Sequence, residues 1–465
     1  MTAAPSPPSP PSRGATATIA ARLERLPATS WQRNLRLLLG TVTFFEGFDQ
    51  LLVAYTLPLI KTEWSLTGAQ LTLGVTAGSV GMLLGALACG GLADRIGRTR
   101  VVVVAMLLTA LASLALVACP NFELFTVLRF VQGLGIGGEV PVAAALISEL
   151  SRARGRGRFV LLYELAFPAG LTAAAVIASV VVPAFGWRAL YLIGAVPAVL
   201  AFPVIRFVPE SPRWLASRGL TERAETAMAG IERAVSRACG GPLPDAEVSP
   251  AAAQAQKTEP PGRVAELVGR RYLRRTAVVS VLWFGGYFVN YGLTAWLPTL
   301  YTSLYHVPIG TALNYTLLTS LVGFLGCVVV ALVVDRIGRR TSLVLGLGVG
   351  GLLLLVLAAL GATGGGSVAL WSTLSAGFVF AANICLYLYT SELYPTRIRA
   401  LGSSLGGAWN RLGVILGPVV VGALVSAGAA PAVVFAVLGA VGIVSGAIAL
   451  AGEETAGRRL EEISA

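Results

Sequence analysis

Long apolar runs alternate along this chain with short arginine-rich segments. About 20 apolar residues suffice to cross the hydrocarbon core of a bilayer as one helix. The pattern predicts twelve such helices, near residues 36–60, 68–92, 100–118, 122–150, 158–182, 188–207, 276–302, 309–334, 341–362, 367–391, 400–426 and 431–452. Two of the interruptions are unusually compact: GGLADRIGRTR from Gly90 to Arg100, and DRIGRR from Asp335 to Arg340. Each crowds an acid and several arginines into a few positions, so each must turn at a membrane face. Asp94 to Asp335 is a step of 241 positions. A second pair, ISELSRARGRG (Glu149, Arg156) and TSELYPTRIRALG (Glu392, Arg399), repeats at 243 positions from Glu149 to Glu392. Two echoes at nearly one offset indicate a duplicated membrane unit, with any pathway between the copies near mid-membrane.

The pattern therefore predicts an all-α membrane protein of two six-helix bundles, over 31–207 and 276–452. Residues 1–30 are Pro-rich and of low complexity, and read as a disordered tail. Residues 208–275 form a linker. Within it Thr221 to Val235 is short, charged and amphipathic, Ala238 to Gly262 is rich in Pro, Ala and Gln, and Gly262 to Arg275 reads as a basic surface helix. Residues 453–465 are a second tail. No cleavable leader is apparent, so the first span must direct insertion.

Composition agrees: the chain is 55% hydrophobic and 12% charged, about half the charge of a soluble domain, with a mean hydropathy of +0.76. The net charge of +12 suggests nucleic acid until the basic residues are placed. All but Lys61, Arg129, Arg188 and Arg411 fall on the side that alternating hairpins make common to both termini, 31 of 35. That side is expected to be cytoplasmic, and the basic character records topology rather than a nucleic-acid partner. The five cysteines are scattered without metal-ligand spacing, and no nucleophile, metal or cofactor constellation appears.

Here the motifs carry a resemblance. The loop G-x-L-A-D-R-x-G-R between the second and third spans is similar to the signature loop of the major facilitator superfamily. The runs beginning at Arg129 (RFVQGLGIG), Pro209 (PESPRWL) and Glu454 (ETAGRRLEE) resemble marks of its sugar-porter and organic-ion branches. The resemblance implies the major facilitator fold, a monomer and a multi-pass protein of the bacterial cytoplasmic membrane.

Glu46 and Asp49 lie in the first span, three residues apart and so expected on one helical face, roughly 15–20 Å deep. Charge at that depth requires a cavity, a partner or a proton. Arg129 of the fourth span is level with Asp49 and is its natural partner. The resemblance to sugar porters implies that Asp49 binds a coupled proton and that Arg129 holds it ionised otherwise; Glu46 is a second proton candidate. Glu139 follows a glycine-rich stretch and either faces the pathway or bonds a neighbouring helix. Glu164 joins Asp94, Arg95, Arg98, Glu149 and Arg156, with Asp335, Arg339, Glu392 and Arg399, in a network expected to latch the cytoplasmic helix ends in the outward-open state.

The seventh span, WFGGYFVNYGLTAWLP, lacks the paired glutamines with which sugar porters bind hydroxyls. It offers Trp283, Tyr287, Asn290 and Tyr291 instead, with Asn383 and Trp409 as further candidate contacts. Arg411 in the eleventh span has no acid nearby in sequence, and a carboxylate ligand would relieve its charge bidentately; a bond to helix-end carbonyls or to Glu46 is the alternative. The sequence is most similar to bacterial niacin and aromatic-acid:proton symporters, kin of organic-anion transporters. That resemblance implies proton-coupled import of a small aromatic carboxylate, nicotinate first and benzoate-type acids second. A proton-coupled sugar or polyol porter and, more remotely, a multidrug exporter are the alternatives.

Overall fold

The computed structural model describes residues 13–27, 29–150, 163, 165–245, 264–394 and 396–456. Eleven of its helices are long and apolar enough to cross a membrane. The helix Phe122–Leu150 runs between the third and fifth of the predicted positions and serves as the fourth span. Hydrocarbon leaves no water for unpaired peptide groups, so such apolar runs have to fold as helices. Their outer faces expose Leu87, Val180, Val199, Phe202 and Leu332, as a surface bathed in lipid tails requires.

Local chemistry fixes where spans begin and break. The second span, Gly68–Ile96, opens with a capping box: the Thr67 N–H donates to Gln70 Oε1 at 2.9 Å, and the Gln70 N–H donates to Thr67 Oγ1 at 3.4 Å. The sixth is split into Arg188–Gly194 and Pro197–Phe207, and the seventh into Leu273–Thr294 and Leu297–Ser303. Both breaks lie just ahead of a proline, which cannot donate the helical hydrogen bond. The fourth span packs on the second through its glycine ladder. A methyl at Gly137 would lie 1.9 Å from the Met82 carbonyl oxygen, so only glycine permits this approach.

Spans one to six form one bundle and seven to twelve the other. They meet at the face opposite the arginine-rich turns. There Lys61 Nζ donates to Ser303 Oγ at 3.0 Å, and a methyl at Gly68 would come within 2.6 Å of Ser426 Oγ. Deeper in, Thr172 Oγ1 donates to the Ser320 carbonyl oxygen at 3.3 Å.

Two expectations need correction. The tail expected to be disordered through residue 30 contains a helix, Arg13–Glu24. Its Ile19 and Leu23, together with Leu26 just beyond, are buried in one cluster with Ala224, Met228, Ile231 and Val235 of the helix Thr221–Cys239. Arg22 Nη2 pairs with Glu232 at 2.6 Å and Arg25 Nη2 at 2.5 Å, so contacts made more than 200 positions away hold a helix too short to be stable alone. The Arg22 guanidinium in turn holds the Glu232 carboxyl below the usual glutamate range. The basic surface helix expected over Gly262 to Arg275 is also absent: the described part has a single short turn, Val264–Leu267, and the seventh span has already begun at Leu273. Residues 246–263 of the expected linker lie outside the described residues.

Candidate functional site

Between the bundles lies a cleft with about 430 Å³ of empty space, part of it open to solvent. From the first span come Thr43, Glu46 and Gln50, a single stripe at helical spacing. Tyr163 and Phe167 enter from the fifth-span side, Tyr287 and Tyr291 from the seventh span, Tyr387 from the tenth, and Asn410 with Arg411 from the eleventh.

The aromatic wall is preorganised. The rings of Trp283, Tyr287 and Tyr291 stack in a column, with centroids 5.6 and 6.1 Å apart and interplanar angles of 17° and 12°. Trp283 stands behind the wall, edge-on to Tyr387 at 4.8 Å, and its Nε1 donates to Thr390 Oγ1 at 2.9 Å. The Tyr287 hydroxyl donates to that of Tyr387 at 3.3 Å, and on the opposite wall Thr43 Oγ1 donates to the Tyr163 hydroxyl at 2.5 Å. Such bracing leaves flat faces presented at little further entropic cost on binding.

Polar groups in this cavity await a partner. Arg411 is half-buried and makes no hydrogen bond or ion pair among the described residues. Tyr291 Oη and Gln50 Oε1 are buried, and each is without a hydrogen-bond partner. An unmatched buried polar atom costs about 1–3 kcal/mol, which a ligand able to pair with it recovers.

Behind the cavity, inside the first bundle, sits a second set. Asp49 is 0% exposed and neither of its carboxyl oxygens has a hydrogen-bond partner. It presses on the sixth span where the helix breaks: a methyl at Gly194 would lie 2.4 Å from Asp49 Oδ1. Glu46 lines the cavity and Asp49 does not: relative to Glu46, Thr43 and Gln50 are turned about 60° and 40° to one side of the helix, and Asp49 about 60° to the other. Arg129, 4% exposed, lies within electrostatic reach of Asp49 but forms no ion pair with it. Its Nη1 donates instead to Gln132 Oε1. Glu139 is buried within electrostatic reach of both Glu46 and Asp49, and its Oε1 has no partner.

The remaining sequence candidates lie elsewhere. Asn290 and Asn383 are buried with unpartnered Oδ1 atoms, and Asn383 Nδ2 donates to the Gly286 carbonyl oxygen at 3.3 Å. Trp409 packs edge-on to Phe284 at 6.3 Å. None of the three lines the cavity. At the arginine-rich face the ion pairs are internal to each bundle. Arg98 meets Asp94 at 2.6 Å and Glu149 at 3.4 Å; Arg339 meets Asp335 at 2.7 Å and Glu392 at 3.0 Å. Arg95 is exposed, Arg156 and Glu164 lie outside the described residues, and so does the side chain of Arg399.

Sequence reasoning placed Glu46, Tyr287, Tyr291 and Arg411 in the site and missed Thr43, Gln50, Tyr163, Phe167, Tyr387 and Asn410. The i to i+4 step from Glu46 to Gln50 was a usable signal. For Phe167 and Tyr387 there was none, because an aromatic residue in an apolar span reads as packing.

Known proteins with this organisation are transporters. The niacin transporter NiaP of Acinetobacter baylyi is 33% identical over 452 residues, covering 96% of this chain and 99% of its own. The putative niacin/nicotinamide transporter NiaP of Bacillus subtilis is 30% identical, covering 92% and 98%. The 4-hydroxybenzoate transporter PcaK of Pseudomonas aeruginosa is 30% identical, covering 84% and 86%. Among solved structures, the major facilitator superfamily proton:xylose symporter XylE, bound to 6-bromo-6-deoxy-D-glucose, superposes with a TM-score of 0.70 at 20% identity, over 93% of this chain and 98% of that one. An inward-open form of XylE from E. coli gives a TM-score of 0.69 at 18% identity, over 93% and 99%. These last two establish the fold. Residues 38–465 match the family described as Sugar (and other) transporter, and the chain belongs to that family, as a multi-pass membrane transporter with the major facilitator fold.

Proposed function

We propose that this protein imports a small aromatic carboxylate together with a proton, with nicotinate the first candidate and benzoate-type acids the second. The observation that carries the reading is Arg411: a guanidinium without a protein partner among the described residues, set in a cavity walled by Tyr287, Tyr291 and Tyr387. A carboxylate accepts two parallel N–H bonds from guanidinium, and an aromatic ring fits against stacked tyrosine faces. Relatives named for niacin and 4-hydroxybenzoate support the same ligand chemistry.

The arginine-rich face is cytoplasmic in this reading, with both termini inside a bacterial cytoplasmic membrane. The bundles then meet on the outer side, and the conformation described faces inward. In the transport cycle the anion enters from outside and its carboxylate takes Arg411. Asp49 takes one proton, whose charge balances that of the imported anion. With Arg129 turned to Gln132, Asp49 carries no counter-ion and is neutral at this stage; return of Arg129 ejects the proton inward. Glu46 lines the cavity, and Glu139 stands between the two sites as a relay. The protein acts as a monomer.

The family also carries sugars, and the carboxamides Gln50 and Asn410 are the groups a hexose would use. Radiolabelled uptake in proteoliposomes separates the readings. Arg411→Ala should weaken nicotinate or benzoate binding about 100-fold without loss of insertion, as truncation of a desolvated charge pair does. Unchanged uptake of these acids by that variant, or competition by hexoses alone, would remove the anion assignment.

A further inference from the structure

The fourth span carries a buried glutamine for which neither the cavity nor the bundle interface has a use. Gln132 is 0% exposed at hydrocarbon depth, where a carboxamide is retained only if both of its ends are occupied. Both are. Its Oε1 accepts from Arg129 Nη1, and its Nε2 donates to Ser113 Oγ of the third span at 2.7 Å. Ser113 is also 0% exposed and spends its own hydroxyl hydrogen on the Thr109 carbonyl oxygen at 2.9 Å. With that hydrogen spent, Ser113 Oγ can only accept, so the amide has one permitted orientation: NH₂ toward Ser113 and oxygen toward Arg129. The chain Thr109, Ser113, Gln132 is thus a fixed acceptor aimed at the guanidinium.

We propose that Gln132, braced by Ser113, is a positioning residue for proton coupling: it takes Arg129 away from Asp49 and so sets how firmly Asp49 keeps its proton. The inference rests on the reading of Asp49 as the proton carrier. A neutral amide suits the task, because it binds guanidinium more weakly than a carboxylate does and yields Arg129 again once Asp49 is ionised. Arg129 is fit to move: its Nε is buried without a partner, and Nη2 lies over Gly78 of the second span, 2.8 Å from where a methyl would stand. The titratable groups around Asp49 are Arg129 and Glu139 of the fourth span, Glu46 of its own, and Tyr191 of the sixth. At this depth the described residues of the second and fifth spans add no acidic or basic side chain. Of the four groups only Arg129 is cationic, and where it points decides the balance.

The test uses two near-isosteric substitutions with opposite expected signs. In reconstituted full-length protein, infrared difference spectra follow the protonated-carboxyl stretch that Asp49→Asn removes, titrated against pH without any substrate. Gln132→Met frees Arg129 to pair with Asp49, so the midpoint should fall by about one pH unit. Gln132→Glu holds Arg129 with a carboxylate, so the midpoint should rise. Ser113→Ala removes only the brace and should give a smaller fall, which keeps the test open if either Gln132 variant fails to fold. Shifts of Met and Glu variants in the same direction, or midpoints equal to wild type in all three, overturn the role of Gln132. Absence of any Asp49-dependent band in wild type overturns the proton-carrier premise instead.

Discussion

The two bundles repeat one another at the arginine-rich face and part company at mid-membrane. At the face the correspondence is close. Gly97 and Gly338 precede the third and ninth spans with φ of +111° and +90°. In each case a distant glutamate caps the helix that follows: Glu210 accepts from the Arg98 N–H at 2.9 Å, and Glu454 from the Arg339 N–H at 2.8 Å. Four orphan N–H groups and the positive end of a helix dipole call for an anion in both places. Deeper in, the first bundle holds Asp49, Glu139 and Arg129 behind the cavity wall and brings Glu46 to it, whereas the second presents aromatic faces and Arg411. In the proposed reading the duplicated parts serve the motion, and the unlike parts serve the chemistry.

That contrast can be broken at several points. The largest effect is expected from Arg411→Ala, with the loss of anion binding described above. Next is Asp49→Asn, which should abolish accumulation driven by a pH gradient while leaving ligand exchange; an electrode or a pH-sensitive dye reads the missing proton flux. Gly97→Ala and Gly338→Ala should each cost about 1–3 kcal/mol, since a methyl would meet Glu210 Oε2 at 2.2 Å or Glu454 Oε2 at 2.3 Å in a backbone region that L residues avoid. Thermal melting that separates these two variants widely would show that the turns are not equivalent. The smallest effect belongs to Glu232→Gln, about 1–2 kcal/mol of local stability in the Arg13–Glu24 helix, read by hydrogen exchange. Because Arg22 depresses the Glu232 carboxyl, this contribution is complete above the ordinary glutamate range and is lost as pH falls through the depressed value.

The fold was legible because apolar runs of spanning length have one backbone solution, and because the duplicated charge clusters marked both the turns and the halves. Arg411 and Glu46 were legible for the converse reason, as charges standing out in apolar sequence. What stayed hidden depended on neighbours. A three-residue step puts Asp49 about 60° from Glu46, and the sequence does not say that one of these directions meets a cavity and the other Gly194. Gln132 reads as an ordinary member of a glycine-rich motif until Ser113 is seen beside it. The Arg13–Glu24 helix was concealed by the Pro-rich start of the chain, and the glutamates that hold it arrive about 210 positions later.

The division of labour between the bundles is tested most directly by one assay on Asp49→Asn in proteoliposomes, comparing counterflow exchange of labelled nicotinate with its accumulation down an imposed proton gradient. Exchange at near wild-type rate with accumulation abolished is the result predicted here. Accumulation that persists, or exchange lost along with it, would contradict the separation of the proton site in the first bundle from the anion site at the face of the second.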